Sequence, residues 1–175
     1  MKVVANAGPL MALGKLGLVH LLHLLYGPVL VPAAVHEEVV IRGLELDQPD
    51  AYAVQLALAR GELALANIED AELSKVVQAL PVHRGEKHVI QLGLNEMADC
   101  VLLDDLLARE QAQRLGLKVK GTLGVIAEAH RRGLMTLQEA ELVFQAIVDR
   151  EDIWISEALV RRVWDQVRQG ANDKP

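Results

Sequence analysis

Four oxygen-bearing side chains stand next to short apolar segments, at points where an α/β fold could bring them together. They are Asn6, Glu38, Glu86 and Asp104, with Asp105 beside the last. Carboxylates that converge on one point repel one another unless a cation lies between them. A ligand set made only of oxygens favours Mg²⁺ or Mn²⁺ over zinc. These residue types therefore predict a divalent metal site that could support phosphodiester hydrolysis.

Each of these residues also has an ordinary structural interpretation. Glu86 opens a helix, where a carboxylate complements the helix dipole, although Val89 and Ile90 place it on the apolar face. Asp104 and Asp105 follow an apolar strand, so that one could cap the next helix while the other faces a site. Asn6 could be a turn former that bonds to the following backbone. The joint placement, more than any single residue, favours the metal site.

Three further choices stay open at this point. Helical periodicity does not decide between Glu37 and Glu38, since each has apolar neighbours one turn away. The segment 121–124 follows a strand and starts a helix, where it could hold a phosphate or serve only as a cap. Four basic residues near the acids could steer a phosphate backbone, or could belong to solvated helix faces: Arg84, Lys87, Arg109 and Arg114.

The elements that must position these side chains are short apolar strands that alternate with helices. Strands are expected at residues 3–6, 29–31, 63–68, 98–103 and 117–120. Helices are expected from Gly8-Pro9 to Gly27-Pro28, and at 32–41, 51–60, 70–80, 84–95, 104–115 and 122–132, with two more capped by Thr136 and Ser156. This alternation predicts an α/β domain with a parallel sheet covered on both faces. Functional groups then gather beyond the carboxyl ends of the strands.

The composition sets limits on the class of protein. The chain has 175 residues, of which 51% are apolar, which is enough for one domain with a sizeable core. A net charge of −6 argues against a protein that coats nucleic acid non-specifically. The single cysteine, Cys100, and the absence of a recognisable signal segment lead us to expect a cytoplasmic protein. The leucine-rich stretch 16–32 is interrupted by His20 and Gly27, and is too short to cross a membrane.

Several blocks of the sequence resemble the PIN-domain family, and most closely its subgroup of predicted PIN-like nucleases. They are Val4–Leu13, Val31–Val39, Arg84–Glu86, Val101–Arg109 and Gly121–Val125. The resemblance runs from Val3 to about Gly133. It implies a three-layer α/β/α domain at 1–133, followed by a helical extension at 134–170 packed on the same domain and a disordered tail at 171–175.

The resemblance also implies an activity, which is cleavage of RNA with Mg²⁺ or Mn²⁺ held at four acidic positions. Those positions fall on Asn6, Glu38, Glu86 and Asp104, with Asp105 as an auxiliary ligand. The resemblance thus favours Glu38 over Glu37, and Glu38, Glu86 and Asp104 become the expected catalytic residues. Asn6 stands where the family usually has an aspartate, which removes one negative charge from the site.

The partners that the resemblance implies are an RNA substrate, a cognate antitoxin and a second copy of the chain. Many members of the family are toxins neutralised by an antitoxin, and many form homodimers. The alternative is a degenerate domain that binds nucleic acid or protein without turnover, which the neutral Asn6 favours.

Overall fold

A five-stranded sheet organises the first two thirds of the chain. The structure, a computed structural model, describes residues 1–172 and the side chains of residues 1–170. The strands are β1 (Val3–Ala5), β2 (Val29–Pro32), β3 (Leu63–Ala66), β4 (Cys100–Leu102) and β5 (Val119–Lys120). They lie in the order β3-β2-β1-β4-β5, and every neighbouring pair is parallel. The predicted α/β class with a parallel central sheet is confirmed.

Helices connect these strands, because parallel neighbours require long crossovers. The α-helices are α1 (Ala7–Lys15), α2 (His20–Tyr26), α3 (Ala33–His36), α4 (Arg42–Glu45), α5 (Pro49–Ala59), α6 (Lys75–Gln78), α7 (Arg84–Asn95), α8 (Leu106–Arg114), α9 (Thr122–Arg131), α10 (Leu137–Asp149) and α11 (Glu157–Asn172). A π-helical segment (Glu37–Ile41) joins α3 to α4, and a 3₁₀ turn (Asp70–Glu72) precedes α6. The predicted span of α7, 84–95, is confirmed.

The core of the sheet consists of the three-residue strands β1 and β4. Val3, Val4, Val101 and Leu102 are all fully buried, which fits strands covered on both faces. The glycines predicted to end α5 and α8 do so in the left-handed region, with φ of +72° at Gly61 and +86° at Gly116. A side chain with a Cβ would be strained in that conformation.

The strand order reverses beside β1, which is where a parallel sheet forms a crevice. The chain runs outward from β1 through β2 to β3, and then returns to the other side of β1 as β4. Asn6 directly follows β1, and its backbone N–H donates to the carbonyl of Leu102 at 3.0 Å. Because Asp104 follows β4 by two residues, both side chains emerge at the carboxyl edge of the sheet, on either side of this crevice.

The prediction of a single helix from Gly8-Pro9 to Gly27-Pro28 is wrong, because the helical structure is interrupted between α1 and α2. Gly17 takes a φ of +70°, which ends α1 and turns the chain. No single helix within residues 1–172 is long and apolar enough to span a membrane. Only α1 and α2 together would pass such a test by length and composition, and they are bent by 119°.

Two other helical predictions need correction. The helix expected at 70–80 is only the 3₁₀ turn and α6, because Ser74 interrupts it and caps α6 by accepting from the N–H of Val77 at 3.3 Å. The helix expected to end at Ile41 instead continues through the π-helical segment into α4. Both changes lie on elements that border the candidate site.

The chain divides into two compact units, Met1–Thr122 and Leu123–Pro175. The first contains the sheet and every candidate site residue. The second contains the remainder of α9 with α10 and α11, where the rings of Phe144 and Trp164 lie 5.4 Å apart. The predicted division at 133/134 stays a prediction. Helix α11 extends to Asn172, and residues 173–175 of the tail predicted to be disordered lie outside the described residues.

Candidate active site

Asn6 presents a buried amide oxygen at the carboxyl edge of the sheet. Its side chain is 7% exposed, because it follows the fully buried strand β1 and precedes α1. Its Oδ1 is buried and accepts no hydrogen bond within the described residues. Leaving a buried acceptor unpaired costs free energy, so an oxygen in this position is suited to bind a cation or a hydrogen-bond donor.

Glu38 approaches the same point from the π-helical segment. A Cβ placed on Gly85, in the first turn of α7, would lie 3.3 Å from Glu38 Oε2 and 3.5 Å from Asn6 Oδ1. Two oxygens from distant parts of the chain therefore meet over one glycine. The side chain of Glu38 is exposed. Glu38 belongs to a π-helical segment, and such segments are rare and are often found at functional sites.

Glu86 lies next to this point, in the first turn of α7. It forms a capping box with His83, whose backbone N–H donates to Glu86 Oε2 at 2.8 Å. The side chain is only 7% exposed, as its place on the apolar face predicts. Burial raises the pKa of Glu86, the His83 N–H opposes that rise, and the negative charges of Asp105 and Glu38 add to it. The charges of two other carboxylates thus reach Glu86.

Asp104 occupies the other side of the crevice and is bonded to the start of α9. Thr122 donates its backbone N–H to Asp104 Oδ1 at 2.8 Å and its hydroxyl to Oδ2 at 2.6 Å. Burial raises the pKa of Asp104, while the Thr122 hydrogen bonds and the charge of Arg109 oppose the rise. Because this carboxylate accepts the N–H of Thr122, the first residue of α9, the contact supports the capping interpretation of 121–124, and the phosphate interpretation stays a prediction.

Asp105 is the member of the acidic pair that caps the following helix. Its Oδ1 accepts from the N–H of Ala108 at 2.8 Å, at the start of α8. Asp105 thus takes the capping role that the sequence left open between the two aspartates, and the expectation that Asp104 faces the site stays a prediction. Asp105 still contributes negative charge to the surroundings of Glu86.

The four basic residues differ in their surroundings, and their predicted contact with RNA stays a prediction. Arg84 donates from Nε to Asp70 at 3.0 Å and from Nη1 to Glu37 at 3.3 Å. Lys87 donates to the carbonyl of Gln78 at 2.7 Å. The other two lie on α8, where Arg109 Nη1 donates to the carbonyl of Leu103 at 3.0 Å and Arg114 is exposed.

Sequence reasoning missed two polar contacts around the crevice. Thr122 was expected to cap α9, and that expectation gave no hint that its partner would be Asp104. His88 is fully buried on α7 and its Nε2 lies 2.7 Å from Asp70 Oδ1. Nothing in the spacing of Asp70 and His88 signals this pair, which ties the 3₁₀ turn to α7.

The donor set at this edge fits a divalent cation in its chemistry. Asn6 offers an unpaired amide oxygen, while Glu38 and Glu86 offer carboxylates whose mutual repulsion a cation would relieve. Within residues 1–172, however, no three His, Cys, Asp or Glu side chains stand close enough together to hold an ion. The Asn6 amide would therefore have to be one of the ligands, or a side chain would have to move, and the exposed Glu38 has the freedom to do so.

Comparison with known proteins adds one finding. A family model described as a PIN domain matches residues 2–169, which extends beyond the resemblance seen in the sequence blocks. No curated protein matches the chain at a significant level.

Proposed function

The chain belongs to the PIN-domain family, whose members are in general nucleases that use divalent metal ions, and on this premise we propose that it is a Mg²⁺- or Mn²⁺-dependent endoribonuclease. The proposal is that it hydrolyses RNA phosphodiesters at the carboxyl edge of the sheet. The observation that supports it best is Glu86, a buried carboxylate in the field of Asp105 and Glu38. Such an arrangement is costly unless it serves a cation or a proton transfer.

In this proposal four side chains bind the ion together, and a fifth contributes only its charge. Asn6, Glu38, Glu86 and Asp104 hold the ion, with Asp105 contributing charge from its capping position. A bound divalent ion supplies Lewis acidity and positive charge at the scissile phosphate. Because burial raises the pKa of Glu86, its carboxyl is also suited to hold and release a proton when no ion is bound.

The surroundings of the crevice decide how RNA would reach it. The net charge of −6 gives no long-range attraction for a polyanion, so association depends on local cations and on the ion itself. Arg84 is held by two carboxylates, whereas the exposed Arg114 is the more available of the predicted phosphate contacts. A weak association follows from this charge distribution, and its salt dependence is set by the few local cations that contact phosphates.

The decisive experiment is cleavage of a labelled RNA in the presence of Mn²⁺. We expect E86Q and D104N to lose about 100-fold or more in rate, because each removes a negative ligand of the reacting centre. E139Q, which changes a carboxylate in the second unit, should cleave at the native rate. Equal rates for the native chain, E86Q and D104N would reject the assignment of the site.

A second candidate function is supported by Asn6 and by the spacing of the acids. The amide brings no charge, and the carboxylates are not gathered at coordination distance within the described residues. A degenerate domain that binds RNA or a protein without turnover would have these properties. It predicts RNA binding by fluorescence anisotropy without cleavage, and a gain of cleavage in N6D if the chain has decayed from an enzyme.

The toxin role, the antitoxin partner and the homodimer depend on the family resemblance alone. If the chain is a toxin, its induced expression should arrest growth of a bacterial host, whereas expression of E86Q at the same level should not. Arrest by both variants would disconnect growth inhibition from the carboxylate site.

A further inference from the structure

Asp104 accepts two hydrogen bonds from one residue, Thr122, and one of the two donors is the side-chain hydroxyl. Thr122 gives one hydrogen bond to each carboxylate oxygen, from its N–H to Oδ1 at 2.8 Å and from its hydroxyl to Oδ2 at 2.6 Å. Two bonds to two oxygens fix the plane of the carboxylate as well as its position. Thr122 is fully buried, so water does not compete for these bonds.

Gly121 makes this approach possible, because nothing larger fits beside Asp104. A Cβ at this position would lie 2.7 Å from both Asp104 Oδ1 and Arg109 Nη1, closer than side-chain carbons come to such atoms. Arg109 in turn is anchored by its bond to the carbonyl of Leu103. The carboxylate is therefore enclosed on the side of β5 and α8.

Asp104 also lies beside the start of α1. A Cβ placed on the exposed Gly8 would lie 3.5 Å from Asp104 Oδ2, and Gly8 is two residues from Asn6. A carboxylate has about four acceptor positions, of which Thr122 occupies two. The remaining lone pairs are left for the crevice, on the side where Asn6 begins α1.

We propose that Thr122 is the positioning residue of Asp104, and that its hydroxyl turns the carboxylate so that its free lone pairs face the crevice. This inference depends on the proposed function for its consequence, since an oriented Asp104 matters there as an ion ligand. Groups that orient ligands in this way commonly change metal affinity 10- to 100-fold when they are removed.

The test uses variants of the full chain that separate the hydroxyl from the shape of the side chain. T122V keeps the branched shape without the hydroxyl, and T122S restores the hydroxyl. T136V is the matched control, because Thr136 caps α10 with a similar N–H and hydroxyl contact to Glu139, at 2.7 and 2.8 Å, in the second unit. Circular dichroism checks that each variant is folded.

Two readouts are measured, one without any ion. The first is the carbon-13 resonance of the Asp104 carboxyl in the ion-free protein, assigned with D104N. It should move in T122V and stay at the native position in T122S and T136V. The second is the Mn²⁺ dissociation constant by calorimetry, which should rise about tenfold in T122V and remain within about twofold of native in T122S and T136V.

The outcomes distinguish this inference from the proposed function. An unmoved Asp104 resonance in T122V would overturn the positioning role, whatever the ion does. A moved resonance with an unchanged Mn²⁺ dissociation constant would overturn it as well, since the orientation would then have no effect on the site. If the native chain binds no Mn²⁺, the metal-dependent function fails, while a moved resonance still supports the orienting role of Thr122.

Discussion

Two helices of this protein, α7 and α10, begin with the same local motif, but the carboxylates of the two motifs have pKa values shifted in opposite directions. In α7, the N–H of His83 donates to Glu86 at 2.8 Å, and in α10 the N–H of Thr136 donates to Glu139 at 2.7 Å. Both form capping boxes. Yet the pKa of Glu86 is raised, whereas the pKa of Glu139 is lowered.

The difference arises from what surrounds each box. Glu139 is exposed, and its capping hydrogen bonds dominate, so that the charged form is favoured. Glu86 is buried, and the charges of Asp105 and Glu38 add to the cost of ionisation. A capping box alone stabilises a carboxylate, so the raised pKa of Glu86 reflects first its burial and then the negative charges of Asp105 and Glu38. This excess charge is what a divalent cation would neutralise.

The largest effect expected from this comparison is stabilisation by Mn²⁺. A ligand at 100 times its dissociation constant stabilises the folded state by about 2.7 kcal/mol. We expect Mn²⁺ to raise the melting temperature of the native chain and of E139Q, and to leave that of E86Q nearly unchanged, because only Glu86 lies in the crevice. Melting curves with and without Mn²⁺ at neutral pH provide the measurement. An equal rise in all three proteins would place the bound ion elsewhere.

The next effect tests the neutral residue in the crevice. N6D adds a negative charge beside Glu38, and should tighten Mn²⁺ binding about tenfold, or about 1.4 kcal/mol, since ligand charge sets the affinity of hard cations. Calorimetry measures the affinity. Q138E, which adds a charge beside Glu139 instead, should leave it at the native value. If N6D and Q138E behave alike, the amide of Asn6 does not face the ion.

The sequence predicts the α7 half of this comparison in part. Val89 and Ile90 place Glu86 on the buried face of α7 by helical spacing, and the predicted cap of α10 at Thr136 is confirmed. Helix α7 was recognisable over its whole length because its apolar residues recur regularly between Pro81 and Asn95. Local spacing is sufficient in these cases, because the interacting groups lie within one turn.

Contacts between distant segments were beyond the reach of local patterns. Asp104 and Thr122 are brought together by the pairing of β4 with β5, and the register of that pair has no signal in the sequence. The π-helical segment that directs Glu38 to Gly85 also has no marker in the periodicity of 32–41. The break at Gly17 was missed because a leucine-rich pattern continues across it.

The two carboxylates should also give opposite dependences of stability on pH. The pKa of Glu86 is raised in the folded chain, so the native protein loses stability as pH rises from the ordinary carboxyl range, near 4.3, through the raised value. E86Q should therefore melt above native at neutral pH, and the gap should close in acid. The measurement is the ion-free melting temperature between pH 3 and pH 7.

E139Q should deviate in the other direction. The pKa of Glu139 is lowered in the folded chain, so its contribution is present above the ordinary value and is lost as pH falls through the lowered one. E139Q should melt below native at neutral pH and match it in acid. If the melting temperatures of E86Q and E139Q differ from native in the same direction at neutral pH, the contrast between the two capping boxes is contradicted.

The smallest expected effect concerns the second residue of each helix, which is Gly85 in α7 and Gln138 in α10. A Cβ on Gly85 would press on Glu38 Oε2 at 3.3 Å and on Asn6 Oδ1 at 3.5 Å, so G85A should weaken Mn²⁺ binding. We expect about a threefold loss, or about 0.7 kcal/mol, because the exposed Glu38 can yield by a few tenths of an ångström. The fold itself should tolerate G85A, since alanine is favoured over glycine in helices by about 0.5 kcal/mol or more. Q138A should change neither property, and calorimetry with melting curves on both variants separates a crowded crevice from a weakened helix.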